Sequence, residues 1–153
     1  MKMKQLLALA AGTLLLLNSC KKDEAAQEDC PVLAVETMAV TGWDASPYCF
    51  ATPVDGGKYQ TYVINSAAEL QALNHCTTAP TIDFARYTLL IGKTKTAACS
   101  SVKTQRVVRS CARYTFEVAL AAGACQASTE VLYYTLVPKL AAGEQVTFDV
   151  TLP

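Results

Sequence analysis

The chain has 153 residues, a length that suits one domain, and 52% of them are hydrophobic, which is ample for a buried core. Thirteen basic and thirteen acidic residues leave a formal net charge of zero. The hydrophobic content argues against disorder of the whole chain. The chain also lacks the net positive charge that is typical of proteins that bind nucleic acid.

Residues 1–19 have the layout of a secretory signal peptide. Lys2 and Lys4 precede an apolar stretch that runs from Leu6 to Leu17. A helix that crosses a bilayer needs about 20 apolar residues, and this stretch has only about 12. We therefore predict a cleaved leader rather than a membrane span.

The sequence "LLNSC" at residues 16–20 resembles a lipobox, where bacterial lipoproteins are acylated on cysteine and cut before it, although Asn18 is a less usual occupant. Removing Cys20 from the seven cysteines leaves six, an even number that suits an oxidising compartment. We predict that Cys20 is the lipidation (palmitate) site and anchors the protein to the outer membrane. The alternative is an ordinary signal peptide, with Cys20 free to form a disulfide.

Residues 20–29 are polar and have no apolar periodicity, which predicts a flexible tether. Their first five residues, Cys20 to Glu24, also resemble the Cys-x-Lys-acid-acid signal that some Gram-negative bacteria use to export lipoproteins to the cell surface. We expect surface display, and an ordinary charged tether is the alternative.

Residues 30–153 are predicted to form a single β-rich domain. "PVLAVETMAV" (31–40) suggests an opening strand, and "VDGGKY" (54–59) is a turn signal. "YQTYVIN" (59–65) reads as a strand because it is rich in aromatic and β-branched residues. Ser66 and Glu69 then have the spacing of a capping box, which predicts a helix over about 66–76.

The rest of the chain reads as further strands. The predicted strands lie at about 87–92, at 102–109 with a bulge at Val107–Val108, at 114–120, at 130–140 and at 145–152. The strand at 130–140 is apolar on both faces and is expected to be central, while Val146, Phe148, Val150 and Leu152 should face inward. The predicted fold class is α+β, mostly antiparallel and sandwich-like, with one helix and disulfide staples.

Six cysteines remain for the domain: Cys30, Cys49, Cys76, Cys99, Cys111 and Cys125. They allow 15 complete pairings. A hairpin that turns near residue 112 would bring residues 99 and 125 together at its open end, so we predict the pair Cys99–Cys125 and leave the other four open. The absence of a C-x-x-C motif argues against a metal site, and we expect no cofactor.

No motif for catalysis is found. His75 is the only histidine, and no G-x-S-x-G elbow offers it a nucleophile. Asp83 and Glu117 show no spacing that would make them an acid/base pair. We expect no catalytic residue.

Basic residues are concentrated between Asp83 and Glu117, a stretch with no acidic residue in between: Arg86, Lys93, Lys95, Lys103, Arg106, Arg109 and Arg113. We take Lys103, Arg106 and Arg109 as candidate partner-binding residues for an anionic glycan, an acidic protein face or a headgroup layer. The alternative is a solvated strand face whose charges discourage edge pairing.

The order of "YVINSAAELQAL", "TIDFARYTLLIG", "YYTLVPKL" and "VTFDV" resembles the C-terminal domain of the protease-complex subunit PrcB and related secreted lipoproteins, over roughly 59–150. That family usually carries a Gly-rich turn where this chain has "KTKTAACSSVKTQ". The resemblance implies a non-catalytic accessory module that binds another envelope protein, such as a protease, and can stabilise it. Two alternatives stay open: a protease inhibitor that presents loop 121–130 or 93–101, and a small hydrolase built around His75.

Overall fold

The computed structural model describes residues 30–43, 45–50 and 59–153. The predicted leader, the tether and Cys20 lie outside these residues. Within them the chain forms a 3-10 turn at Pro47–Cys49, helix α1 at Ala67–Leu73, and strands β1 (Leu33–Val35), β2 (Tyr59–Ile64), β3 (Tyr87–Thr96), β4 (Ser100–Ser110), β5 (Arg113–Ala122), β6 (Thr129–Pro138) and β7 (Gln145–Thr151).

The strands form two sheets. The outer sheet has the order β1-β4-β5-β7, and the central sheet has the order β2-β3-β6. All pairings are antiparallel except that of β5 with β7, which is parallel. The predicted class, mostly antiparallel β with one helix, is therefore confirmed. The parallel pair arises because the chain crosses from β5 to β6 in the central sheet and then crosses back, so that β7 runs beside β5 in the same direction.

One core lies between the two sheets. The outer sheet contributes Val107, Phe116 and Val118, and the central sheet contributes Leu90 and Tyr133. These outer-sheet residues follow the two-residue alternation of β4 and β5, which places every second side chain on the inner face.

A second core lies on the other face of the central sheet. There α1 and the N-terminal segment place Leu70, Trp43 and Phe50 against Ile64 and Ile91. The central sheet is therefore covered on both faces, which explains why β6 is apolar on both. The sequence predicted that β6 is the central strand of its sheet. This prediction is wrong, because β3 is the middle strand and β6 lies at one end of the sheet.

Helix α1 begins as its capping pattern predicts and ends earlier. Ser66 Oγ accepts a hydrogen bond from the Glu69 N–H at 3.2 Å, and the Glu69 carboxylate accepts from the Asn65 N–H rather than from Ser66. Asn74 ends the helix because its side chain bonds Thr78 O and the Cys76 N–H instead of continuing the turn. The predicted end near 76 was therefore wrong.

Strand β3 continues past the predicted end at Gly92 to Thr96. Its last residues are polar but satisfied inside the fold: Thr94 Oγ1 shares a hydrogen bond with the Tyr133 hydroxyl at 2.9 Å, and Thr96 Oγ1 donates to Ala98 O at 2.7 Å. Burial of polar side chains is tolerated when each one has a partner. The predicted loop at 93–101 is consequently reduced to a short turn after Thr96.

The irregularity in β4 lies between Val102 and Thr104, not at Val107–Val108 as predicted. Val107 points into the core, while Val108 faces outward between Ala34 of β1 and Thr115 of β5. Because these neighbours partly cover Val108, both valines are accommodated in a regular stretch of β4 without a bulge. Leu152, which was expected to face inward, lies beyond the end of β7 and is 40% exposed.

Candidate functional site

Three disulfides join turn and loop segments in the part of the chain that the structure describes. Cys99 pairs with Cys125, at a Cα–Cα distance of 5.3 Å, across the open end of the β4–β5 hairpin. The four cysteines whose pairing was left open form Cys30–Cys111, with Cα atoms 5.4 Å apart, and Cys49–Cys76, with Cα atoms 5.0 Å apart. These separations lie within the range that a disulfide requires.

The Pro47–Cys49 turn presents one aromatic side chain to solvent. Pro47 occupies the start of the turn, where its fixed φ and missing N–H fit, and Ser46 caps it by accepting a hydrogen bond from the Tyr48 N–H at 3.4 Å. Cys49 and Phe50 are buried, with exposures of 4% and 2%, whereas Tyr48 is 86% exposed. The turn is thus anchored by its last residues and projects the Tyr48 ring outward.

Three further contacts hold this turn against the rest of the fold. The Cys49–Cys76 disulfide joins it to the segment after α1, and the His75 N–H donates to Cys49 O at 2.8 Å. Lys93 lies beneath the turn, is only 1% exposed, and donates from Nζ to Pro47 O at 3.0 Å and to Phe50 O at 2.9 Å.

Glu130 neutralises the buried ammonium group. Its carboxylate lies 2.9 Å from Lys93 Nζ, so the cation has three oxygen partners. A buried charge is tolerated only when it is paired and hydrogen-bonded in this way. The result is a turn whose backbone is held at both ends by one side chain.

A shallow cavity of about 540 Å³ adjoins the exposed ring, and we call the two together the Tyr48 site. The cavity is lined by Pro47, Tyr48, Lys95, Ser128, Thr129 and Glu130. Lys95 is exposed and forms no ion pair with any residue that the structure describes. An aromatic ring, a cation and hydroxyl groups side by side suit a protein surface that offers an apolar socket and an acidic group.

The three candidate residues of β4 do not form one patch. Arg106 faces outward and pairs with Glu117 of β5, while Lys103 lies at the strand irregularity and is exposed. Arg109 faces the opposite side, where its guanidinium lies 3.1 Å from Glu144 and stacks over the Tyr114 ring. The basic stretch is thus divided between two faces and partly neutralised by acidic residues from other parts of the chain, Glu117 of β5 and Glu144 before β7.

Other candidates from the sequence are scattered. His75 is exposed beyond the end of α1, and no hydrogen bond joins its imidazole to a hydroxyl among residues 30–43, 45–50 and 59–153. Asp83 shapes a turn by accepting from the Ala85 N–H at 3.1 Å. In the same ranges no cluster of three or more His, Cys, Asp or Glu residues could hold a metal ion, and no helix is long and apolar enough to span a membrane.

Sequence reasoning missed the Tyr48 site. Its residues come from three separate stretches of chain, and neither Lys93 nor Glu130 has a local pattern that predicts an interior ion pair. The one available signal was "PYCF" (47–50), in which an aromatic residue stands between a turn-forming proline and a cysteine.

Comparisons of the chain with protein-family models, with curated proteins and with solved structures found no match.

Proposed function

We propose that this protein is a lipid-anchored, non-catalytic binding module of the cell envelope, which holds a partner protein at the Tyr48 site. The observation that carries the proposal is the 86% exposure of Tyr48 on a turn whose next two residues, Cys49 and Phe50, are buried, with Cys49 disulfide-linked to Cys76. Exposing a whole aromatic ring to water has no benefit for folding. A partner protein that covers the Tyr48 ring would remove this apolar surface from water, which favours association.

The bracing of the turn favours tight association. Binding normally costs the entropy of ordering interface side chains and loops. Here the backbone at Pro47 and Phe50 is already held by Lys93, and a tyrosine ring has only two side-chain torsions to restrict. Tyrosine is also among the residues that most often dominate binding energy at interfaces.

The chemistry of the site indicates what the partner offers. The Tyr48 ring requires an apolar socket with a hydrogen-bond partner for its hydroxyl at the rim. Lys95, on the same side, favours a carboxylate nearby. The anchor at Cys20 and the tether at 20–29 would present this site at the cell surface, and the resemblance to the PrcB C-terminal domain favours a partner that the module stabilises, such as an envelope protease.

The test is site-specific photo-crosslinking in intact cells. A photoreactive phenylalanine analogue at Tyr48 is expected to give one discrete protein adduct. The matched control places the analogue at Tyr59, a 53%-exposed tyrosine at the start of β2 outside the site. Adducts of the same pattern and yield at both positions would contradict the proposal.

The identified partner then allows a direct measurement of affinity. Tyr48→Ala should weaken binding by roughly 30-fold or more, the size of a hot-spot effect of about 2 kcal/mol, while Tyr59→Ala should change it less than three-fold. Unchanged thermal stability of both variants would show that the fold is intact. Unaltered binding by Tyr48→Ala would reject the site.

A second candidate function is protease inhibition, favoured by the exposed segment from Ala122 to Ser128. The Cys99–Cys125 disulfide braces it, and the Gly123 N–H donates to Cys99 O at 2.6 Å. Titration against the partner, if it is a protease, separates the two functions. Stoichiometric loss of activity indicates an inhibitor, whereas retained activity with greater protease stability indicates the accessory module.

A further inference from the structure

Strand β7 has one paired edge and one edge with no strand beside it among the residues that the structure describes. It forms the end of the outer sheet and, of the strands in the described ranges, pairs only with β5. The Gln145 N–H donates to Ala112 O at 3.1 Å, so the backbone groups of Gln145 point toward β5. Because the direction alternates with every residue, those of Thr147 and Asp149 also point toward β5.

The backbone groups of the intervening residues point the other way. The N–H and C=O groups of Val146, Phe148 and Val150 are therefore directed at the open edge. Such an edge is a template for a further strand, and natural proteins usually protect it with proline, a charged side chain, a bulge or a very short strand. Gln145–Thr151 has no proline, lysine or bulge, and its one charged residue, Asp149, lies on the outer face.

The side chains of β7 leave apolar area available on the same edge. Val146, Phe148 and Val150 face the core between the sheets but are only half-buried, although Phe148 contacts the Phe116 ring with centroids 5.6 Å apart. Thr147 and Asp149 lie on the exposed outer face. A strand added here would cover the three apolar side chains and leave the polar face in solvent.

The order of residues in β7 is nearly symmetric about Phe148. A valine stands two residues away on each side, at 146 and 150, and a polar residue stands one residue away on each side, at 147 and 149. A strand with this symmetry matches its own copy when the copy runs antiparallel. We infer that the occupant of the edge is a second copy of this chain, and that β7 joins two molecules into one continuous sheet about a twofold axis at Phe148.

This register satisfies the whole edge. Phe148 stands opposite Phe148 of the second copy, and Val146 stands opposite Val150, so all the outward backbone groups of these residues find partners. On the outer face, Asp149 stands opposite Thr147, a neutral side chain that can donate a hydrogen bond.

Neighbouring registers are poorer. A shift that centres the pairing on Asp149 places two carboxylates opposite each other, which is destabilising. A shift that centres it on Thr147 leaves Val150 without a partner inside the strand. The twofold interface is thus an isologous one, formed by the same surface on both copies. It does not include the Tyr48 site, so it is independent of the proposed function.

The test compares two variants at one exposed position in the full chain, purified in mild detergent. Thr147→Asp places a carboxylate opposite Asp149 of the second copy and should raise the dimer dissociation constant by roughly ten-fold, since two such pairs form. Thr147→Lys places a cation there and should lower it by a similar factor. Sedimentation over a range of concentrations measures both.

Hydrogen exchange supplies a second readout that needs no substitution. In the wild-type protein the amides of Val146, Phe148 and Val150 should become protected as concentration rises, whereas those of Thr147 and Asp149 should be protected at all concentrations. Tyr48→Ala should leave the dissociation constant unchanged.

Three results would overturn the inference. These are a monomer at all accessible concentrations, a dimer that responds equally to both Thr147 variants, and a dimer whose Val146, Phe148 and Val150 amides exchange freely. Failure of the photo-crosslinking at Tyr48 would leave this inference unaffected, because the two surfaces share no residue.

Discussion

Lys93 brings a positive charge into the interior and joins parts of the chain that are distant in sequence. Its ammonium group bonds the carbonyls of Pro47 and Phe50 and the carboxylate of Glu130. Pro47 and Phe50 belong to the turn segment and Glu130 to β6, so one side chain of β3 links both. The side chain therefore positions the turn that carries Tyr48, and it acts through hydrogen bonds rather than through apolar contact.

Lys93→Met should lower the free energy of unfolding by about 3 kcal/mol, because it keeps the aliphatic length but leaves the Glu130 carboxylate unpaired. Urea denaturation measures the loss. Lys95→Met is the matched control, since Lys95 is exposed and lies two residues further along β3, and it should change stability by less than about 0.5 kcal/mol. Similar losses in both variants would contradict the role given to Lys93.

At the scale of elements, the β3–β6 pair is shaped by a close contact between Gly92 and Tyr133. The two residues stand opposite each other, and the Tyr133 ring lies over Gly92 so closely that a Cβ there would overlap the ring. A glycine inside a strand often marks such an approach. The "LLIG" ending of the predicted strand thus has a packing reason, and the strand continues beyond it.

Gly92→Ala should destabilise the protein by about 1–3 kcal/mol, because the Tyr133 ring is buried and cannot move aside without strain. The measurement is a double-mutant cycle with Tyr133→Leu, in which the smaller side chain removes the overlap. The cost of Gly92→Ala should then shrink markedly. Additive losses would show that the contact does not determine the choice of glycine.

At the scale of the whole molecule, two cores share the central sheet. Tyr133 and Tyr114 lie in the core between the sheets, and Tyr62 lies in the core beneath α1 and the N-terminal segment. Burial raises the pKa of all three phenols above the ordinary value of 10.0. The folded state therefore holds these protons more tightly than the unfolded chain does.

Stability should consequently be independent of these tyrosines below pH 10 and fall as the pH rises above it, where the unfolded chain ionises first. Thermal unfolding between pH 8 and pH 11 measures the fall. Tyr133→Phe should make the decline above pH 10 shallower than in the wild-type protein. A decline of unchanged steepness in Tyr133→Phe would exclude a contribution from Tyr133.

Much of the fold could be predicted from local chemistry. The alternation of Tyr114, Phe116 and Val118 places one face of β5 in the core wherever that strand pairs, and the Ser66 cap starts α1 whatever covers it. The Cys99–Cys125 pair follows from hairpin symmetry alone. In these cases the interacting groups belong to one element or to two adjacent strands, so their spacing in the chain already determines their contact.

The remaining features depend on contacts between distant parts of the chain. The parallel pairing of β5 with β7 follows from the placement of β6 in the other sheet, and the disulfides Cys30–Cys111 and Cys49–Cys76 follow from how the N-terminal segment packs. Local pattern classed Lys93 with exposed basic residues, yet three oxygens supplied by other segments stabilise its charge inside. Sequence periodicity shows which face of a helix or strand is apolar. Only the folded chain brings together the partners that stabilise a buried charge, such as Lys93, or that fix an exposed aromatic ring, such as Tyr48, in one position.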